Sequence, residues 1–311
     1  MMFWKTVKQR AMIVALLFLL PLINGCSETK EMPSEEPASN QEKFFLGLLP
    51  EHDLFTQVQR YDPFVGYVSK RAGVDVELRV LSRYGNLINN FADRQLDAAF
   101  LGSLSGALAI EKIGVEPLVR PEWVDGSSTY HGLIFIRKDS GINSVAAMKG
   151  KRFVFVDKAT TAGWLLPLHF FKQLGMDDFR TWFAETYFSG THEDAIYDVL
   201  DGKADIGAAK NTVFNRLAEK DGRLLKDLQI LATSPDVPSS TMAVRKGLDP
   251  SLKKRLVTIF LQMDQNEEGR EILRNFGATR FIVTTEKDYE PVFTYAGEIG
   301  RDLAKYNYFK E

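Results

Sequence analysis

Two short loops rich in hydroxyl side chains each separate a β-type run from a helical pattern in the middle of the chain. The first loop contains Thr160, Thr161 and Gly163, and the second contains Thr191 and His192. The start of a helix leaves backbone N–H groups unpaired and carries partial positive charge, so it suits an anion. Two such starts with hydroxyl or imidazole donors predict a polar pocket for a small anionic group. The alternative is that these threonines only cap their helices, which is a common use of threonine.

Short apolar runs alternate with longer helical patterns on both sides of these loops. The predicted strands are residues 44–49, 74–81, 96–101, 115–120, 133–137, 151–156, 183–188, 205–209, 228–233 and 241–245. The predicted helices are residues 55–71, 86–93, 105–113, 164–174, 193–200, 213–219, 250–263, 267–276 and 289–306. This alternation predicts an α/β fold with βαβ units on a mostly parallel sheet.

The chain is predicted to cross twice between two lobes. Polar, turn-rich joints near residues 139–144 and 234–240 bracket a middle segment of ordinary domain size. We therefore expect one lobe of residues 44–138 plus 240–311, and a second lobe of residues 139–239. Two crossings make a hinge with a cleft between the lobes, and such a cleft can close on a ligand.

The first 43 residues are typical of export. A basic start and a short apolar stretch over residues 11–22 predict a signal peptide over residues 1–25. Cys26 follows directly, in a setting that resembles a bacterial lipoprotein processing site, so we expect Cys26 to carry a lipid anchor. Asn24 is a less usual residue there, and a soluble secreted form stays open. Residues 26–43 are rich in Glu, Ser and Pro and predict a flexible tether.

Composition excludes several classes of function. The chain has 39 Lys and Arg against 41 Asp and Glu, a net charge of −2, which argues against nucleic acid as a partner. Cys26 is the single cysteine, so no disulfide is expected. No cysteine cluster or pair of ligating residues four apart predicts a metal site, and we expect neither a metal nor a cofactor.

Several segments resemble, in order and spacing, the phosphonate-binding family of periplasmic solute-binding proteins. They are residues 46–51, 96–102, 157–163, 189–192 and 201–205. The resemblance implies a two-lobed periplasmic-binding-protein fold of the type II, Venus-flytrap kind, with a hinge between the lobes. It also implies that phosphonate, phosphate or phosphite is delivered to an ABC permease in the inner membrane.

In that family the first loop usually carries three consecutive hydroxyl residues before glycine, and these hold the phosphorus oxyanion. Here the positions are Thr160, Thr161 and Ala162 before Gly163, so one donor is missing. Because a charge-assisted hydrogen bond is worth roughly 1.5–3 kcal/mol, we expect a shifted preference among anions and not a loss of binding. His192 matches the family's loop histidine and is expected to donate to the anion. The alternative for His192 is a histidine that faces solvent.

Further candidate contacts surround the expected cleft. They are Tyr84, Tyr130, Ser103, Ser105, Glu51, Thr191, Asn211 and Thr212. The tyrosines resemble the family's cleft tyrosines, the serines follow a strand, and Glu51 ends the first strand. In the family an acidic residue in the cleft can face the far end of an aminoalkyl ligand. Plain packing of the tyrosines and an N-cap role for Ser103 stay open. At the exit of the strand 205–209 we prefer Asn211 and Thr212 to Lys210, and expect Asp205 to support the fold.

Three functions are compatible with these patterns. The preferred one is a substrate-binding lipoprotein of an ABC importer, held in the cell envelope and facing the periplasm, or the outer face of the membrane in a single-membrane cell. The alternatives are a ligand-binding partner of an envelope sensor and an envelope hydrolase that uses Ser103 or Ser105. No histidine lies in a recognisable catalytic motif, so we expect a binding protein and not an enzyme.

Overall fold

The computed structural model describes residues 42–50, 54–93, 95–176 and 178–307. The signal peptide, Cys26 and nearly all of the tether expected from the sequence lie outside these residues, as does Glu51. All of these described residues belong to one compact unit. In the part of the chain that is described, no helix has the length and apolar character needed to cross a membrane.

Most of the predicted helices and strands are present, with their ends shifted by a few residues. The strands are β1 Lys43–Leu48, β2 Asp75–Val80, β3 Ala98–Leu101, β4 Glu116–Trp123, β5 Thr129–Tyr130, β6 Gly132–Arg137, β7 Arg152–Phe155, β8 Glu185–Phe188, β9 Ile206–Lys210, β10 Leu228–Thr233, β11 Val237–Pro238, β12 Thr241–Val244 and β13 Ala278–Val283. The helices are α1 Leu54–Ala72, α2 Leu87–Ala92, α3 Ser103–Ile113, α4 Leu166–Gln173, α5 Phe179–Trp182, α6 His192–Leu200, α7 Asn211–Lys220, α8 Arg223–Asp227, α9 Pro250–Leu261, α10 Glu267–Phe276 and α11 Glu290–Glu298. A turn of π-helix over Thr161–Leu165 runs directly into α4.

Two larger sheets organise the described residues. The first sheet has the strand order β13-β4-β12-β3-β1-β2, and the second has the order β10-β6-β9-β7-β8. β1 is parallel to β2 and β3, and β7 is parallel to β8 and β9. The pairs made by β6, β12 and β13 are antiparallel. The prediction of a mostly parallel sheet is therefore wrong. β6, β12 and β13 come from outside the βαβ units and run antiparallel to the strands beside them.

The chain passes between the two sheets at β5 and β11, which pair with each other through Tyr130 and Val237. β6 pairs with β9 and β10 in the second sheet, although the sequence placed it in the first lobe. A boundary after residue 138 would separate β6 from the sheet that supplies its hydrogen bonds. The first crossing therefore precedes Gly132, and the polar turn after β6 is an ordinary turn within the second sheet.

The tail of the chain contains a strand that the sequence analysis missed. β13 lies at the edge of the first sheet and pairs with β4. Phe281 is buried in the core, whereas Arg280 is exposed and bonds Glu122. The predicted helix over residues 289–306 is also too long. α11 ends at Glu298, and Gly300 follows with a φ of 73°, a left-handed conformation that suits a helix end.

The hydrophobic core has two clusters of buried side chains. The first joins α1, α9 and α10 to one face of the first sheet, with the rings of Phe64 and Phe276 edge to face at 4.9 Å. The second cluster includes Leu104 and Leu108 of α3 together with the interior of the second sheet, such as Phe155. The same cluster includes the π-helical turn after β7, which α3 contacts although α3 directly follows a strand of the first sheet.

Candidate functional site

Three strands end together at one edge of the second sheet, because β7 is parallel to both β8 and β9. The two hydroxyl loops therefore leave the sheet side by side. Ser189 N donates to Phe155 O at 2.9 Å, and Gly190 N donates to Val156 O at 2.9 Å. Lys210, the last residue of β9, ends at the same edge. The fold thus brings both loops and one basic side chain to a single place.

The N-terminus of α3 meets the first loop at this edge. Leu104 N donates to Thr161 Oγ1 at 2.6 Å, and both residues are buried. The N-cap residue of α3 is Gly102, so no side chain caps this helix. Because the start of a helix favours negative charge, its amide and the Thr161 hydroxyl can together hold an anion oxygen.

The other residues of the first loop support its conformation. Thr160 Oγ1 donates at 2.6 Å to the carbonyl of Asp157 within the same loop. A Cβ on Gly132 of β6 would lie 3.3 Å from Ala162 Cα, so Ala162 is packed against β6. A Cβ on Gly163 would collide with the side chain of Val156, the residue after β7, and glycine is needed for this close approach.

Thr191, in contrast, is an ordinary helix cap. Its Oγ1 accepts from Asp194 N at 2.9 Å and lies 2.7 Å from Asp194 Oδ2, to which it can donate. The capping interpretation therefore holds for Thr191, and its hydroxyl is committed to α6. Thr160 occupies the N-cap position before the π-helical turn but makes no side-chain cap bond. The capping interpretation is wrong for the first loop.

His192 is buried, with 4% of its surface exposed, so the solvent-facing alternative is wrong. Lys210 N lies 3.2 Å from His192 Nδ1. A backbone N–H can only donate, so Nδ1 is the acceptor, and the neutral ring carries its proton on Nε2. The ring of Tyr84 stands edge-on to this imidazole, with centroids 6.4 Å apart. His192 therefore offers one donor, Nε2–H.

Of the two predicted serines, Ser103 holds α3 to the crossing strands and Ser105 bonds within the start of α3. Ser103 Oγ donates to Pro238 O at 2.7 Å and lies 3.1 Å from the hydroxyl of Tyr130, which is buried on β5. Ser105 Oγ donates to Gly102 O at 3.0 Å. Ser103 is the first residue of α3 and not its N-cap. Both serine hydroxyls thus have structural partners beside the site.

Lys210, which the sequence analysis ranked below Asn211 and Thr212, is a buried basic residue at this edge. It is 3% exposed, its Nζ donates to Ser240 Oγ at 2.8 Å, and the same Nζ lies 4.5 Å from the ring centroid of Tyr130. Asn211, which was ranked higher, joins the start of α7 to the crossing segment, because its Oδ1 accepts from His131 N at 3.1 Å.

Thr212 is half-buried in the first turn of α7. The burial of Lys210 could have been predicted from the sequence, because this residue ends an apolar run. A strand inside a sheet has both faces covered, so the final side chain of such a run is buried even when it is basic.

Two carboxyl groups near the ends of β7 have shifted pKa values. At the loop end, burial raises the pKa of Asp157, whose Oδ1 accepts from Ala159 N at 2.8 Å. At the other end, the Arg152 side chain holds the pKa of Asp205 below its usual range. Arg152 N donates to Asp205 at 2.8 Å and Arg152 Nη2 at 2.9 Å, so Asp205 joins the starts of two strands. Within the described ranges no group of His, Cys, Asp and Glu is placed to hold a metal ion.

Comparisons with known proteins found similar binding proteins of ABC transporters. The family model described as "ABC transporter, phosphonate, periplasmic substrate-binding protein" matches residues 46–289. A probable phosphite-binding protein of an ABC transporter, PhnD1 of Prochlorococcus marinus (strain MIT 9301), is 24% identical over 278 residues, which cover 86% of this chain and 92% of that protein. The phosphonates-binding periplasmic protein of Escherichia coli (strain K12) is 23% identical, covering 82% of this chain and 76% of the relative.

The solved structure of P. marinus PhnD1 with methylphosphonate has a similar fold. Its TM-score is 0.75 at 22% identity, and the match covers 84% of this chain and 99% of that one.

Proposed function

Because the chain belongs to the phosphonate-binding family of periplasmic substrate-binding proteins of ABC transporters, we propose that it captures a small phosphorus oxyanion and passes it to an ABC permease. Proteins of this family are solute-binding transport components found in the periplasm and are not enzymes, so the hydrolase alternative is set aside. The fold is the two-lobed, type II fold of periplasmic binding proteins. We assign the first lobe to the first sheet and the second lobe to the second sheet, with the hinge at β5 and β11.

One contact carries this proposal. Leu104 N, from a helix of the first lobe, donates to Thr161 Oγ1, from a loop of the second. A hydroxyl donates as well as accepts, so an anion oxygen that replaces this bond can receive a hydrogen bond from each group. The donors then come from both lobes, and the ligand stabilises the closed arrangement by contacts that an open one lacks. His192 Nε2–H adds a donor beside the second loop.

The proposed ligands are phosphonate, phosphate and phosphite. The relatives are named for phosphite and for phosphonates, which supports this class of anion. Thr161 supplies the side-chain donor of the first loop, because the Thr160 hydroxyl bonds within the loop and Ala162 has no hydroxyl. With fewer side-chain donors, the backbone amides at the start of α3 and the π-helical turn carry more of the binding.

The protein is also proposed to be held at the membrane by a lipid on Cys26, with residues 26–43 as its tether. This part of the proposal rests on the sequence alone. Mass spectrometry of the protein extracted from its own membrane should show a chain that begins at Cys26 and carries acyl groups. A water-soluble mature protein that begins at another residue would contradict it.

A panel of small anions tests the proposed function. Purified protein is heated with phosphate, phosphite, methylphosphonate, 2-aminoethylphosphonate or sulfate, and each unfolding midpoint is compared with a chloride control. A ligand at 100 times its Kd stabilises the native state by about 2.7 kcal/mol, which raises the midpoint by several degrees. We expect at least one phosphorus anion to do so, and calorimetric titration then gives its stoichiometry. A panel in which no phosphorus anion raises the midpoint contradicts the proposal.

A further inference from the structure

The C-terminal segment, residues 290–306, follows β13 of the first sheet and so belongs to the first lobe. It contains α11, and Val292 of this helix is buried in the same cluster as Leu104 of α3. Further along, the ammonium group of Lys112 in α3 donates to Ala304 O at 3.0 Å. The C-terminal segment is therefore attached to the helix whose first turn supplies an amide donor of the proposed site.

The same segment is bonded to α4, which belongs to the second lobe. His169 and Lys172 are three residues apart on one face of α4, and both contact Glu298 at the end of α11. His169 Nε2 lies 2.6 Å from Glu298 Oε2, and a carboxylate only accepts, so the ring donates. Lys172 Nζ donates to Glu298 O at 2.7 Å, at a helix end that favours a cation. Glu298 is thus the residue through which α11 holds α4.

The bond between Glu298 and His169 is partly shielded from water. His169 is buried, and its ring packs against Tyr295 of α11 with the ring centroids 5.2 Å apart, whereas Glu298 is exposed. A bond with one buried end is screened less by solvent and salt than a pair of surface charges. It therefore contributes more than an ordinary surface ion pair.

These bonds act on the anion site through α4 and the first loop. α4 continues directly from the π-helical turn that carries Thr161, and Tyr306 donates its hydroxyl to Lys158 O in the loop before that turn. The two lobes are therefore joined by side chains of the protein itself, in addition to the contact between Leu104 and Thr161.

We propose that Glu298 and His169 are positioning residues of anion binding, which hold the lobes in the closed arrangement that the anion requires. This inference rests on the proposed function and adds to it two residues outside the ligand contacts. When only the closed arrangement binds, the apparent Kd is the intrinsic Kd divided by the closed fraction. A bond that raises the closed fraction tightens the binding of every anion by the same factor, whereas a ligand contact discriminates among anions.

Small-angle X-ray scattering of the purified protein without an added anion tests the arrangement of the lobes. Glu298→Ala removes the acceptor from an exposed position, and the ligand-free variant should have a larger radius of gyration than the unaltered protein. Glu298→Gln keeps an amide oxygen as acceptor and should lie between the two. Glu290→Ala is the control, because it removes an exposed carboxylate from the other end of α11. Equal radii of gyration for Glu298→Ala and the unaltered protein overturn the inference.

Calorimetric titration tests the effect on affinity. Glu298→Ala should weaken the binding of phosphate, phosphite and methylphosphonate roughly three- to tenfold, with the three factors within about twofold of one another. His169→Phe keeps a ring beside Tyr295 but has no donor, and it should give a similar loss. Because both variants break one bond, the double variant should lose no more affinity than either single variant. A loss confined to one anion, or losses that add in the double variant, overturn the inference.

The outcomes separate this inference from the proposed function. Lower stability of Glu298→Ala in urea, with unchanged affinities and scattering, makes Glu298 a structural residue and overturns the inference alone. Failure of the unaltered protein to bind any phosphorus anion overturns the proposed function and with it the role in binding. A larger ligand-free radius of gyration for Glu298→Ala, an equal loss for all three anions and an unchanged Glu290→Ala support the assignment.

Discussion

The two hydroxyl loops have similar compositions and the same place in the fold, yet their threonines bond differently. Thr191 caps its own helix by accepting a hydrogen bond from Asp194 N, whereas Thr161 accepts one from Leu104 N in another helix. One hydroxyl is therefore committed to local structure, and the other lies where two helix starts meet. In this fold, the threonine that does not cap its helix is the one available to a ligand shared between the lobes.

The residues three positions further on explain the difference. Asp194 is the third residue of α6, a spacing typical of a capped helix start, and its carboxylate contacts the threonine in return. The corresponding residues after Thr160 and Thr161 are Gly163 and Trp164, which carry no such group. The first loop consequently continues as a π-helical turn, and its second threonine is left to bond across to α3.

Substitution of Thr161 should give the largest effect on binding. Thr161→Val keeps the branched shape but removes the hydroxyl, and it leaves Leu104 N without its acceptor. We expect affinity for the preferred phosphorus anion to fall roughly 10- to 100-fold, as for other hydrogen bonds to charged groups. Calorimetric titration measures this fall. An affinity within twofold of that of the unaltered protein would show that Thr161 does not contact the anion. The two loops would then not differ in their roles in binding.

Substitution of His192 should give a smaller loss. His192→Ala removes the Nε2–H donor and the acceptor of Lys210 N, and affinity should drop several-fold, by about 1 kcal/mol. His192→Gln, which keeps an amide donor of similar reach, is the matched variant and should recover part of the affinity. If both variants bind as tightly as the unaltered protein, the imidazole makes no ligand contact.

Thr191 should affect stability and not binding. Thr191→Ala removes an N-cap, which costs about 0.5–2 kcal/mol of unfolding free energy. Urea denaturation measures that loss, and anion affinity should change by less than about threefold because the hydroxyl is already bonded within α6. A large loss of affinity with unchanged stability would reverse the roles assigned to the two loops.

The opposite end of the second sheet offers a control with the smallest expected effect. Asp205→Asn should lower stability by up to about 1 kcal/mol at pH 7, since the Arg152 pair is partly exposed, and should leave binding unchanged. Because the fold lowers the pKa of Asp205, its contribution is complete above the unfolded pKa of about 3.9 and is lost as the pH falls through the folded value. The difference between variant and parent should therefore shrink below about pH 4. A stability difference that grows as the pH falls would contradict the lowered pKa of Asp205.

Much of the fold was predictable because the spacing of apolar residues along the chain indicates which side chains are buried. The runs at β7 and β9 are buried on both faces, and their apolar residues identified them without ambiguity. β13 was missed because it is an edge strand with an exposed arginine in its middle, so its apolar signal is short. The position of β6 depended on its partners β9 and β10, which no local pattern encodes.

The sequence predicted only those features of the site that follow from the positions of strand ends and loops. Proximity of the loops followed from parallel strands, but the burial of Lys210 was not anticipated. Lysine is rarely buried, and this usual exposure argued against a place for Lys210 in the site. Thr191 was retained as a ligand contact because helix caps and anion donors share the same residue types.

The proposed function depends above all on an anion held where α3 meets the first loop. A crystal structure of the protein with methylphosphonate tests it most directly. A phosphonate oxygen should lie within about 3 Å of both Leu104 N and Thr161 Oγ1, the distance of an ordinary hydrogen bond. Methylphosphonate bound elsewhere, with the Leu104–Thr161 bond unchanged, would contradict it.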